Sequence, residues 1–420
     1  MESLAEARES PIWRDQRAVA LLLAASLTTM ANATISPALP GIERLFTDDP
    51  NAALLTRLLV PAPSLSVALF APLAGFAADR IGRRMMLLAG VVLFVIAGCG
   101  GLFLPDLRSI FASRLVLGIA VALIMTAQTA LIGDYFTGDD RNALTGLQIS
   151  ARNFGGLVFI SLAGWAATLS PRLPFAIYGL AAVFLPLMWL AIVEPPRIAT
   201  APGVLPASDD NGHPSWRSLL AALVLLQGLT NMIFFLMPTQ ISFFLEASGY
   251  ESAAMTGTVL GLLMIAGGCS ALLYRRVRRA IGSAGIFAAG YAAMALGFLL
   301  LSRSASMPSL FAAALLIGTG YALVSPSFVA MALDLAPRRS RGMAGGILTA
   351  SISIGQFCSP LASTPLIAAQ GYGALFGGTA WLLAIMALAA FLAWSGRSFR
   401  PRSWIARRAL PGTSSARHNG

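Results

Sequence analysis

The chain has 420 residues, of which 57% are hydrophobic and 11% charged, with a mean hydropathy of +0.75. That balance excludes an ordinary soluble domain and places the chain among membrane proteins. Its formal charge of +11 rests on 29 basic residues, every one of them Arg, and their placement argues for membrane topology rather than nucleic-acid binding.

A spanning helix needs about 20 mostly apolar residues. Stretches of that kind fall near 18–39, 53–74, 85–104, 109–133, 143–168, 174–193, 217–245, 252–274, 283–302, 308–333, 342–368 and 373–395, which predicts an all-α membrane protein of twelve transmembrane helices. Glu2, Glu6 and Glu9 precede the first apolar run, which is too long for a signal core, so an uncleaved first span is expected. With the N-terminus inside, 22 Arg lie in cytoplasmic segments, five outside (Arg44, Arg57, Arg108, Arg172, Arg303) and two within spans (Arg114, Arg152). This bias puts both termini in the cytoplasm of a multi-pass cell-membrane protein, here the bacterial inner membrane, with Arg contacting anionic head groups.

The expected organisation is a cytoplasmic segment 1–17, a six-helix half 18–193, a cytoplasmic linker 194–216, a second six-helix half 217–396 and an Arg-rich cytoplasmic tail 397–420. The linker opens at Glu194-Pro-Pro-Arg197 and is rich in Pro, Ser, Asp and Gly. Cys99, Cys269 and Cys358 fall inside spans without metal-site spacing and read as small core residues. His213 and His418 lie outside the spans, and there is no phosphate-loop motif and no Lys. No metal, no cofactor and no enzyme activity are therefore expected.

An internal repeat divides the chain. At a shift of 200 residues Ile81-Gly82 meets Ile281-Gly282, and Gly90, Gly118, Asp134, Arg141, Gly146 and Gly155 each meet the same residue type. Six spans separate the copies, so the halves run in the same direction, as two parallel pseudo-repeats.

The run Gly75-Phe-Ala-Ala-Asp79-Arg80-Ile-Gly82-Arg83-Arg84, between spans 2 and 3, resembles the signature loop of the major facilitator superfamily of secondary transporters, departing at Ala77 where Leu is common. The resemblance implies alternating access by rocking of two halves. Asp134-x6-Arg141 and Asp334-x6-Arg341 are similar to the acidic-x6-Arg elements of sugar-porter members. It further implies a cytoplasmic gate of Gly75, Asp79, Arg80, Gly82, Arg83, Asp134, Arg141, Asp334 and Arg341. Asp134 and Arg141 would clasp Arg83 or Arg84, and Asp79 would face the start of span 11 near Gly342.

Arg114-Leu-Val-Leu-Gly118 resembles the Arg-x-x-x-Gly core of the span-4 motif, with Leu117 in place of a polar residue. In proton-coupled relatives that Arg is linked to proton transfer; the plain alternative is an Arg snorkelling to the outer surface. Arg152, ten residues into span 5, has Ile352 as its repeat counterpart and is assigned a substrate-charge or coupling role, with a paired structural Arg as the alternative. All 18 acidic residues fall in loops, tails or helix ends. Asn32 stands where many drug:proton antiporter relatives carry Asp, and the span-5 antiporter motif is absent, the best alignment giving Ile160-Ser-Leu-Ala-Gly-Trp165.

By family analogy spans 1, 4, 7 and 10 line a cavity, offering Asn32, Met125, Gln128, Asn231, Phe235, Gln240, Tyr321, Ser325 and Phe328, a surface suited to an amphiphilic solute. Pro238 and Pro326 are expected to kink spans 7 and 10, and Gly155, Gly156, Gly345 and Gly346 to allow close helix approach. The pattern is nearest to twelve-span drug:proton antiporter-like exporters. The expected partners are a small-molecule solute, a proton as candidate counter-substrate and the lipid bilayer, with no nucleic acid, in a monomer. The alternatives are an organic-anion porter and a transport-dead sensor or scaffold.

Overall fold

The computed structural model describes residues 15–195, 215–250, 253–303, 306–337 and 340–398, apart from the side chains of Asp79 and of residues 138–139, 142, 341–342 and 396–398. Among the described residues there are helices and turns and no strand. In chain order they are α1 (Gln16–Ala33), α2 (Leu39–Leu45), α3 (Ala52–Leu58), α4 (Ala62–Ile81), α5 (Arg83–Cys99), α6 (Leu107–Tyr135) and α7 (Gly138–Leu169). A 3-10 turn at Leu173–Leu180 leads into α8 (Ala181–Ala191). The second half holds α9 (Trp216–Phe234), α10 (Leu236–Ala247), α11 (Ala253–Arg303), α12 (Met307–Leu335) and α13 (Arg341–Ser398).

Helix length resolves these elements into spans. α11 has 51 residues, about 76 Å at 1.5 Å per residue, more than twice the hydrocarbon thickness of about 30 Å. It turns back at Gly282 (φ 69°), and α13 turns back at Gly371 (φ 79°), so each supplies two spans. Three other spans are broken helices: α1 with α2, α3 with α4 at a 50° bend, and α9 with α10. With α5, α6, α7, α8 and its 3-10 entry, and α12, these make the twelve spans. Val183, Leu190, Leu225 and Trp381 face outward, as expected where the solvent is lipid.

The repeat is visible in the backbone. α6 and α12 have bounds 200 residues apart. A Cβ added at Gly118 would lie 2.2 Å from the Pro63 carbonyl oxygen, and one at Gly318 would lie 2.3 Å from that of Leu263, so both halves use glycine for the same close crossing. Gly155 against Ser26 and Gly355 against Gly228 repeat this between α7 and α1 and between α13 and α9.

Several local expectations change. The signature run is helical on both sides of a single residue: α4 continues to Ile81, α5 begins at Arg83, and Gly82 (φ 104°) makes the whole turn. Only glycine takes that conformation without strain. Arg275, Arg276, Arg278 and Arg279 likewise lie on α11, before Gly282. Pro238 breaks span 7 at Phe235, as its ring conflicts with the carbonyl four residues back, whereas Pro326 sits inside an unbroken α12. Gly155 and Gly156 allow close approach, but a Cβ on Gly345 or Gly346 would meet nothing within 4 Å, because α13 stands away from its neighbours there.

Candidate functional site

The bonds that tie the two halves together gather at the end remote from Gly82. Arg57 of α3 is the centre. Its Nη1 is 3.0 Å from Glu43 Oε2 of its own half, its Nε donates to Gln240 Oε1 at 3.4 Å, and its guanidinium lies 3.9 Å over the Phe243 ring of the other half. Gln240 donates in turn to Ser363 Oγ at 2.8 Å. Ser36 Oγ donates to the Pro238 carbonyl, Ser64 Oγ donates to Gln356 Oε1, and Arg44 pairs with Glu246 at 2.9 Å. A cavity of about 500 Å³ remains in this seam, with Arg44, Ser242 and Glu246 on its wall. At the Gly82 end no bond between the halves is seen among the described residues: a Cβ on Gly75 would meet nothing within 4 Å, and Met343 and Ile347 are exposed.

The signature turn binds its own half. Glu194 accepts from the Arg83 and Arg84 amides, one carboxylate oxygen to each at 2.8 Å, so an anion caps the first turn of α5. Arg84 donates to the Trp189 carbonyl and stacks over that ring, and Tyr135 donates to the Val193 carbonyl. Arg83 Nε lies 3.2 Å from Asp134 Oδ2, the clasp the sequence implied. Arg141 lies against Gly133, Arg80 covers the Phe76 ring, and Asp334 is exposed with no ion pair among the described residues. The side chains of Asp79 and Arg341, and with them their expected part in the gate, lie outside those described.

The cavity candidates separate into three groups. Asn231 Oδ1 accepts from Tyr321 Oη at 2.8 Å, and Tyr321 stacks on Phe234 with centroids 3.7 Å apart, joining α9 to α12. Asn32 donates to Ser64 Oγ at 3.3 Å, while its own buried Oδ1 has no partner. Met125 and Ser325 are half-buried, consistent with a lining role. Gln240 belongs to the closed seam instead. Gln128, which donates to the Leu21 carbonyl, Phe328, whose ring packs edge-on against Phe287, and Phe235 are buried in helix contacts. The sequence cannot separate these roles, because one helical turn decides whether an amide or ring faces a cavity or a neighbour.

Arg114 does not snorkel; it is 0% exposed. It donates to the carbonyls of Ala31 and Leu59 and, at 2.8 Å, to Tyr178 Oη, and it lies 4.7 Å over the Tyr178 ring. Both carbonyls are left over by helix breaks. Ala31 is in the last turn of α1, and the residue four beyond Leu59 is Pro63, which has no N–H. Arg114 thus fastens the breaks of spans 1 and 2 to span 6. Arg152 has no comparable shell: its Nε is buried without a hydrogen bond, and no carboxylate pairs with it among the described residues.

Sequence reasoning passed over Arg57, Glu43, Glu194 and Tyr178. Glu194 was visible as the end of span 6, and Arg57 as one of the few outward Arg, but both find partners that only the fold brings near.

The family model described as Major Facilitator Superfamily matches residues 21–292 and 252–416. The chain is 25% identical over 146 residues to the quinolone resistance protein NorA of Staphylococcus aureus, covering 35% of this chain and 38% of the relative. It is 30% identical over 146 residues to multidrug resistance protein 1 of Bacillus subtilis, covering 33% and 36%. It thus matches little more than a third of the length of these curated relatives. Among solved structures it is similar to the D-xylose-proton symporter (TM-score 0.70, 19% identity, 90% of this chain and 97% of that one). It is also similar to the human organic anion transporter MFSD10 (0.68, 20%, 91% and 100%). The matched model covers both halves, and the chain belongs to the major facilitator superfamily, as a multi-pass membrane protein.

Proposed function

We propose that the protein exports amphiphilic organic compounds by alternating access, with the Gly82 end facing the cytoplasm and Arg57 closing the outer end. The observation that carries this reading is the asymmetry of the two ends: halves bonded to each other at one and without a bond between them among the described residues at the other, with the Tyr321–Phe234–Asn231 group joining α9 to α12. The likeness to a quinolone and a multidrug resistance protein supports export, and an aromatic, thioether and amide surface suits a solute with apolar and polar parts. Protons are the first candidate counter-substrate. Arg114 and Arg152 cannot carry them, as a guanidinium does not deprotonate at physiological pH.

The test is efflux and uptake in proteoliposomes across a solute panel, with and without a pH gradient. ATP-independent flux supports a porter, dependence on the gradient supports proton exchange, and binding without flux would instead make the chain a sensor. The proposed topology places residues 194–216 and both termini inside. A single Cys at Asp210 should then be protected from an impermeant external reagent while one at Asp48 reacts, and the reverse pattern would invert the orientation.

A further inference from the structure

We infer that the transported solute is an organic anion whose charge completes Arg152, and that the Gly82 end closes readily only when that anion is bound. This rests on the transporter reading above. Residues 152, 155, 156 and 159 share one face of α7. On that face Gly155 stands against Ser26 and Gly156 against Thr29 of α1 and Met264 of α11. Arg152 lies one turn nearer the Gly82 end, where α1, α7 and α11 converge. The glycine contacts of α7 with α11 run from Gly164 on Gly257 to Asn153 on Gly267 and Gly268, and Arg152 adjoins the last of them on the side of the Gly82 end.

Arg114 and Arg152 form a control and a test within one half. The first has main-chain carbonyls, a hydroxyl and a ring around its guanidinium, with Nη1 alone unbonded; the second has a buried Nε with no hydrogen bond, and no hydrogen bond or ion pair to its side chain is seen among the described residues. A guanidinium cannot shed its charge, and its planar fork matches a carboxylate. Arg152 is half-buried in this state. Closing the Gly82 end buries it further, and a dehydrated, unpaired cation opposes closure. An anion carried into the crevice supplies the missing charge, so loading permits the step that the empty carrier resists.

The test uses the full chain in phosphatidylcholine nanodiscs, its native Cys replaced by Ser, with spin labels at Ala143→Cys and Met343→Cys, exposed repeat counterparts on opposite halves. The probes are benzoate, 2-naphthoate and 4-phenylbenzoate, each beside its neutral amide. At least one carboxylate should bind at least tenfold tighter than its amide and raise the short-distance population at least tenfold; the amides should leave it unchanged. Arg152→Gln should abolish the preference, leave amide binding within twofold and close without any probe, whereas Arg152→Lys should keep part of the preference. Wild-type protein that prefers no carboxylate over its amide, or closes equally when empty, overturns the inference, as does a preference that survives in Arg152→Gln. If Arg152→Gln does not fold, the wild type and Arg152→Lys decide it. The transporter reading fails separately: amide flux without a carboxylate preference would spare it, and binding without any flux in proteoliposomes would sink it alone.

Discussion

The two ends of the molecule use charge differently. At the end remote from Gly82, one poorly exposed Arg crosses the seam to Gln240 and Phe243, and the bonds beside it, from Ser36 to the Pro238 carbonyl and from Ser64 to Gln356, join neutral groups. At the Gly82 end the charged motif faces inward on its own half, with Glu194, Arg83, Arg84 and Asp134 binding α5, α6 and the end of span 6 together. In this state the charge-rich motif stiffens one body, while the contact between bodies is made by groups with little sequence signature.

Breaking the seam should have the largest effect. Arg57 is 11% exposed at its side chain and serves both halves, so Arg57→Ala should weaken closure by about 2 kcal/mol, roughly thirtyfold in the closed population. The readout is an impermeant thiol reagent at Ser363→Cys, buried in the parent; a residue that stays protected in the double variant would show that Arg57 is not the latch. Glu194→Gln comes next. It exchanges two charge-assisted bonds for weaker ones and should cost about 1 kcal/mol in thermal unfolding, with no change in distance across the Gly82 end. A changed distance there would mean that the motif acts between halves already in this state. Arg44→Ala tests the exposed rim of the seam. Arg44 is 68% exposed, so closure should shift by at most about 0.5 kcal/mol, and less at high salt.

The smallest effect is expected at Asp106, which caps α6 and whose carboxyl is held below its usual range by the Ser109 hydroxyl and amide. A lowered folded value means that the cap contributes fully above the ordinary carboxylate pKa and fades as pH falls through the lowered one. Asp106→Asn should be near neutral at pH 7, as Asn also caps helices, and should remove that acid-side loss from unfolding curves. A large loss at pH 7 would contradict the capping role.

Much of the fold could be read from the sequence because its determinants are local. Span lengths follow apolar runs, Gly82 and Gly282 mark equivalent turns, and Gly118 and Gly318 mark equivalent crossings. The site was read less well. The Arg83–Asp134 contact is one that the resemblance of the two motifs implied. The shell of Arg114 was not, because carbonyls freed by helix breaks leave no mark in a residue string. Gln240 and Gln128 were grouped with Asn231 by family analogy of their spans, yet one bonds Ser363 in the seam and the other a carbonyl of a neighbouring helix.

The one-residue turn at Gly82 has a mechanical side. A long loop would let spans 2 and 3 slide independently, but a single left-handed glycine, with Glu194 clamped over the helix start beside it, joins them as a stiff hairpin. A half built this way behaves as a lever whose displacement at one tip is felt at the other. A binder that wedges between the tips near Gly75 and Met343 would then hold the far seam shut without reaching the centre of the protein, which makes the exposed tips a place to arrest the cycle for a molecule too large or too polar to enter.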